Sequence, residues 1–199
     1  MDRVEDLSRA FERFPGIGPR QARRFVYHLL SLSLSERTRI ADLVSRLAEN
    51  VRQCQECRRY ANGTGPLCSY CSDEGRDNTT LLVVEKDQDL IAVERAGTYK
   101  GRYFVLGGVL TLSGKGVIRE KELVGAVERK LTSGLSEIIL ALSATNEGEN
   151  TADHLRSTLM SYRDRVRITK LGRGLATGSE LEYSDAETLT GALQSRKET

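Results

Sequence analysis

Thr79-Thr80-Leu81-Leu82-Val83-Val84-Glu85 runs directly into Lys86-Asp87-Gln88-Asp89-Leu90-Ile91-Ala92-Val93-Glu94, and this stretch decides the fold class. Four consecutive aliphatic residues, two of them β-branched, make a short run that suits a strand buried on both faces. After it the apolar residues change to helical spacing, so Asp89 to Glu94 is expected as a helix. The alternation repeats downstream. Tyr103-Phe104-Val105-Leu106, Ile138-Ile139-Leu140-Ala141-Leu142 and Val166-Arg167-Ile168 read as strands, and Glu120 to Leu131 and Thr151 to Tyr162 as helices. Strand and helix in alternation build a mostly parallel sheet covered by helices on both faces. The expected fold class is therefore α/β, with Glu85 closing the first strand of the sheet.

Upstream of this domain stand the chain's four cysteines, Cys54, Cys57, Cys68 and Cys71, as two C-x2-C pairs with ten residues between them. Paired thiolates at that spacing can wrap one tetrahedral zinc, and a site closed by four sulfurs leaves no position open for water or substrate. The expected cofactor is one structural zinc per chain. The competing reading is two disulfides, which needs an oxidising compartment, and the N-terminus MDRVEDLSRA lacks the apolar core of a signal peptide. The quartet is expected to sit as a hinge between the α/β domain and what precedes it.

The preceding residues read as helical. Val4, Leu7, Phe11 and Phe14 recur at helical spacing, as do Ile40, Leu43, Val44, Leu47 and Val51. Between them lies Phe14-Pro15-Gly16-Ile17-Gly18-Pro19, followed by Arg20-Gln21-Ala22-Arg23-Arg24-Phe25-Val26-Tyr27-His28-Leu29-Leu30. Gly16 and Gly18 permit a tight turn, and Pro19 suits the first position of a helix, so the segment is expected as a helix-hairpin-helix. Its glycine amides and the positive end of the second helix can approach a phosphate closely. On that helix Ala22, Phe25, Val26, Leu29 and Leu30 share one side, while Arg20, Arg23 and Arg24 fall largely on the other. No acidic residue occurs between Glu12 and Glu36, which leaves a local basic face in a chain of net charge +2. That pattern points to a nucleic acid bound through its backbone, largely independent of sequence, with Gly16, Gly18, Arg20, Arg23 and Arg24 as the residues that meet it.

A second charged feature lies at the carboxyl ends of the expected strands. Glu85 ends the first, and Ser143-Ala144-Thr145-Asn146-Glu147-Gly148-Glu149 follows Leu142 as a loop, where open α/β sheets place their functional sites. This arrangement resembles a Toprim domain, whose D-x-D in that loop holds magnesium for phosphoryl chemistry. Here Ser143 and Thr145 stand at the D-x-D positions, so the carboxylates for magnesium are missing and no catalytic residue is assigned. Glu85, Glu147 and Glu149 are expected to bind a protein partner. An enzyme of the nuclease or primase type using those three glutamates with magnesium is the alternative. Ser113-Gly114-Lys115-Gly116 lacks the spacing of a phosphate-binding P-loop. No apolar run approaches the ~18 residues of a membrane span.

The order of these parts resembles the RecR family of bacterial recombination mediators. The segments F-P-G-I-G-P-R-Q-A-R-R-F-V-Y-H-L-L (14–30), V-V-E-K-D-Q-D-L-I-A-V-E-R-A-G (83–97), Y-F-V-L-G-G (103–108) and L-G-R-G-L-A-T-G-S-E-L-E-Y (171–183) are similar to blocks of that family. The resemblance implies a helix-hairpin-helix DNA-binding region over 1–53, a four-cysteine zinc finger over 54–78, a Toprim domain over 79–175 and a C-terminal segment over 176–199; the composition of Gln194 to Thr199 itself reads as a frayed, solvated tail. The resemblance also implies a non-enzymatic clamp in recombinational DNA repair, a homo-oligomeric ring of four copies. Such clamps act with RecO and RecF to help load RecA on single-stranded gaps held by single-strand-binding protein. The implied location is cytoplasmic and nucleoid-associated.

Overall fold

Asp2 caps the first helix by accepting a hydrogen bond from the Val4 amide at 2.9 Å, and α1 (Arg3–Glu12) then runs to the Pro15-Gly16 turn. Gly16 adopts φ +76, a left-handed conformation that glycine enters without steric cost, and Pro19 opens α2 (Pro19–Ser31). The two helices pack against each other, and the small residues Ser8 of α1 and Ala22 of α2 are buried. Phe11 packs its ring against Phe14 (6.1 Å between centroids) and edge-on to Phe25 (5.8 Å). A capping box at Ser33 and Glu36 begins α3 (Leu34–Ser45), and Arg37 reaches back to the carbonyls of Leu29 and Leu32 at the end of α2. The periodicity through Val51 is thus cut short. α3 stops at Ser45, and Val51 begins strand β1 (Val51–Gln53), because its β-branched side chain pairs with β2 (Tyr60–Asn62) instead of extending a helix.

The computed structural model describes residues 2–172, 174–175 and 177–196. The chain divides between Val51 and Arg52 into two compact units. In the second unit β1 and β2 frame the first cysteine pair, and a single turn, α4 (Ser69–Ser72), carries the last cysteine. The chain continues through β3 (Asp77–Val84), α5 (Asp87–Ala96), β4 (Gly101–Val105), α6 (Glu120–Leu131), β5 (Glu137–Ala141), α7 (Asn146–Thr158), a 3-10 turn (Leu159–Tyr162) and β6 (Arg167–Lys170). A second 3-10 turn (Leu181–Tyr183) and α8 (Ala186–Gln194) follow. Within the block 171–183, Arg173 and Ala176 lie outside the described residues, as do residues 197–199 of the expected frayed tail.

β3, β4, β5 and β6 form one sheet in the order β4-β3-β5-β6, every neighbouring pair parallel. β3 is central, so Leu82 lies opposite both Tyr103 and Ile139, and Val84 opposite both Val105 and Ala141. Alternate residues feed two cores. Leu81, Val83, Phe104, Ile138 and Leu140 pack with Leu123 and Val127 of α6 and Leu155 of α7. Leu82, Val84, Tyr103 and Val105 pack on the other face with Leu90 of α5 and with Cys54, Cys57 and Cys68. The second face is therefore covered by one helix together with the cysteine module. The hinge expected at the quartet is instead a layer of the α/β core, since three of its cysteines are buried among sheet residues.

Two element boundaries bear on function. α5 begins two residues earlier than its periodicity implied, because Asp89 caps back onto the Lys86 amide at 3.0 Å. α7 begins at Asn146, not Thr151: Thr145 caps it through the Gly148 amide at 3.1 Å, so Glu147 and Glu149 stand in its first turn and not in a loop. Gly148 is required there, since a Cβ would lie 2.0 Å from the Ser143 carbonyl oxygen.

Candidate metal centre, nucleic-acid interface and acidic face

The four sulfurs of Cys54, Cys57, Cys68 and Cys71 lie within 4.8 Å of one another, and all four cysteines are free thiols. Cys57 and Cys68 are 3.5 Å apart at sulfur, close to the ~3.8 Å separating two sulfurs on a tetrahedral zinc with Zn–S bonds of ~2.3 Å. Each pair is held by a tight backbone turn. The Arg58 amide donates to the Cys54 carbonyl (3.0 Å), the Cys54 amide to the Arg59 carbonyl (2.8 Å), and the Cys71 amide to the Cys68 carbonyl (3.0 Å). The first turn puts Arg58 at φ +62, the one non-glycine residue with positive φ among those described. Crowding polarises the thiols. Cys54 is held far below the ordinary thiol range, first by hydrogen bonding from Cys57, while Cys57 is pushed far above it, first by its bond to Cys54. One thiolate can be accommodated by its neighbours in this way, but four together require a central cation. The donor set, its burial and its geometry all fit a closed four-thiolate metal site.

The same module seals one edge of the sheet. β4 is an edge strand, and its Val105 amide donates to the Cys57 carbonyl at 2.7 Å, so a peptide of the cysteine module occupies a hydrogen-bonding position that would otherwise be exposed. Arg119 adds to this joint by donating from Nη1 to the carbonyls of Arg58 (3.3 Å) and Val105 (2.9 Å). A second joint is formed by Arg76. Its guanidinium lies over Tyr70 at 4.8 Å and Tyr103 at 5.3 Å and binds both carboxylate oxygens of Glu94 at 2.7 Å.

In the first unit, Gly18 caps α2 without any side-chain hydrogen bond, and a Cβ at Gly16 or Gly18 would meet nothing within 4 Å. The amino end of α2 is therefore open to an incoming anion. Arg20, Arg23 and Arg24 are all exposed around it. Arg24 donates to Gln21 at 3.5 Å, and Arg23 meets Glu5 of α1 at 3.6 Å. The basic face is thus partly compensated by a carboxylate from the neighbouring helix, which a count along α2 alone could not include. Phe25 and Leu30, assigned to the apolar side, are 37% and 57% exposed, whereas Ala22 and Val26 are buried.

Glu85 follows β3 and accepts a hydrogen bond from the Ser143 amide at 2.5 Å, which ties the ends of β3 and β5 together. Glu149 is bridged to Lys170 at 2.9 Å, while Glu147 is exposed on the first turn of α7. The three glutamates share the carboxyl end of the sheet, yet among the described residues the cysteine quartet is the one group of three or more ligating side chains close enough to share an ion. At the D-x-D positions Ser143 and Thr145 bond to each other through their hydroxyls at 3.1 Å. Sequence reasoning missed Arg102, which is 9% exposed within β4. Its signal was a cation inside the otherwise apolar run from Gly101 to Leu106.

These features define a class: a Toprim-type α/β protein that carries a helix-hairpin-helix and a closed four-cysteine centre. Residues 79–171 match the Toprim domain, residues 4–49 the RecR helix-hairpin-helix and residues 174–197 the RecR C-terminal domain. The chain belongs to the RecR family. It is 44% identical over 197 residues to a protein of Ruegeria sp. (strain TM1040) named Recombination protein RecR, covering 98% of this chain and 96% of that one. Proteins of the same name from Ruegeria pomeroyi and Brucella anthropi are 41% and 42% identical, covering 98% and 97% of this chain and 96% and 94% of theirs.

Proposed function

We propose that this chain is a non-enzymatic DNA-binding clamp of recombinational repair, which acts with RecO and RecF to help load RecA at single-stranded gaps. The observation that carries the reading is the open amino end of α2, where Gly16 and Gly18 leave the backbone uncovered and Arg20 and Arg24 flank it free of carboxylate partners among the described residues. Phosphate contacts of this kind position DNA without reading its sequence. The metal of the four-cysteine centre is zinc, in a purely structural role, because four thiolates close its coordination shell. Glu85, Glu147 and Glu149 form a docking face for a basic partner, RecO being the candidate, and the hydroxyls at Ser143 and Thr145 disfavour magnesium chemistry there. No described helix is long and apolar enough to cross a membrane, in keeping with a cytoplasmic, nucleoid-associated protein.

One hairpin can engage only a short stretch of phosphates, so useful affinity needs several hairpins presented together. A ring of four copies supplies them. α3 supports such assembly: none of its residues is buried, and Leu34, Leu43 and Val44 are all more than 60% exposed.

The test is DNA binding as a function of salt. Arg20→Ala with Arg24→Ala should weaken binding to every sequence tried and flatten the slope of log affinity against log salt by roughly 0.7 to 0.9 for each phosphate no longer neutralised. Unchanged affinity and slope would remove the hairpin from the DNA surface. Magnesium-dependent cleavage of labelled DNA by wild type, abolished in a Glu85→Gln, Glu147→Gln, Glu149→Gln variant, would make the protein an enzyme.

A further inference from the structure

Arg102 is a buried cation with no carboxylate. Its residue is 9% exposed, and none of the ion pairs among the described residues includes it. Its hydrogen bonds go to neutral oxygens: Nε donates to Asn78 Oδ1 at 2.8 Å, and Nη1 to the carbonyls of Tyr70 at 3.1 Å and Cys71 at 3.2 Å. Buried charges are normally paired, because a lone ion in a low-dielectric interior carries a large desolvation cost. The last two bonds show where the missing negative charge lies, since Tyr70 and Cys71 belong to the turn that carries the fourth metal ligand. Four thiolates on a divalent cation leave a dianion.

We infer that Arg102 is a counter-charge of the four-thiolate centre and a positioning residue for its last ligand, and that Arg129, Lys130 and Glu56 tune the charge around it. These four line one pocket of about 250 Å³ with Cys71 and Asn78. Arg129 and Lys130 share Glu56 at 3.4 and 3.6 Å, which leaves one positive charge over. With Arg102 the surplus within this pocket is two, opposite in sign to the dianion, and Arg59, over the Tyr70 ring at 4.6 Å, adds a further cation beside the same turn. This inference rests on the metal assignment proposed above but not on DNA binding.

The sign of each effect tests it. Zinc affinity is measured on the full chain by competition with a chromophoric chelator. Arg102→Met should lose about 10- to 100-fold, the range found when a group supporting a metal ligand is removed. Arg102→Lys, which keeps the charge but not the fork, should recover part of that loss. In cobalt-substituted protein the thiolate-to-cobalt charge-transfer band should move to lower energy in Arg102→Met, since removing a cation raises the energy of the sulfur electrons. Packing damage alone gives no reason for a shift in that direction. If Arg102→Met does not fold, two partly exposed sites carry the test: Glu56→Gln should tighten zinc and slow its release several-fold, and Arg129→Gln with Lys130→Gln should do the opposite. Equal affinity in all variants, or loss of affinity in Glu56→Gln, overturns the proposal. A chain that binds no zinc or cobalt at all would instead remove the metal assignment beneath it.

Discussion

Glu94 shows how one carboxylate can report on a joint between layers. Its burial works to raise its pKa, but the two-pronged Arg76 guanidinium and the Tyr103 hydroxyl, which donates at 2.5 Å, outweigh that and hold it below the ordinary carboxylate range. A group depressed in the folded state takes up its proton first in the unfolded chain. Its stabilisation is therefore present above the unfolded value of ~4.3 and is lost as pH falls through the lower folded value. Glu94→Gln should cost about 3 kcal/mol at pH 7, the low end for breaking a buried pair, because Arg76 keeps only the more distant Asp73 carboxylate at 3.9 Å. The deficit should shrink toward zero in acid. Urea denaturation of both proteins from pH 7 to pH 3 measures this, and a pH-independent difference would show that Glu94 acts by packing alone.

At the scale of elements, the cysteine module and β4 depend on each other. The Cys57 carbonyl occupies the Val105 amide, and the cysteines share a core with Leu82, Tyr103 and Val105. Structural zinc is commonly worth about 10 kcal/mol or more, so under the zinc proposal its removal should release this covering from the sheet edge. Chelation is expected to abolish amide-exchange protection at Val105 well before Val83 in the central strand, and to cause aggregation through the uncovered edge. Hydrogen exchange with and without chelator checks this, and simultaneous loss of protection at both residues would mean that the sheet does not outlast the metal. Within this unit, the strand order could not be read from sequence. The aliphatic runs identify β3, β4 and β5, but only hydrogen bonding places β3 between β4 and β5.

At the scale of the whole molecule, the feature that asks for a partner is apolar surface. Leu43 and Val44 on α3 are 61% and 69% exposed, and an apolar groove of about 540 Å³ runs beside them between α1, α2 and α3. A monomer seldom leaves such a face to water. Under the ring proposal a second copy covers it, so Leu43→Glu with Val44→Glu should lower the mass in solution while leaving zinc content unchanged. It should also weaken DNA binding more than the loss of any single arginine, because avidity falls with the number of hairpins per particle. Light scattering and zinc analysis on the same sample provide the check, and an unaltered mass would place the self-association surface elsewhere.

The α/β class, the four-cysteine cluster and the helix-hairpin-helix were all legible from the sequence, because each depends on local chemistry: alternation of period, ligand spacing, glycine at a turn. What only the tertiary structure decided were relations between distant segments. Glu5 partly neutralises Arg23, the quartet is a core layer and not a hinge, Glu85 is engaged by the Ser143 amide, and Arg102 is buried against the turn that carries Cys71 without a carboxylate. A pattern along the chain identifies what a residue can do. Its charge balance and burial depend on neighbours brought in by folding, and those are set by packing across the sheet and between helices, where sequence separation carries no information.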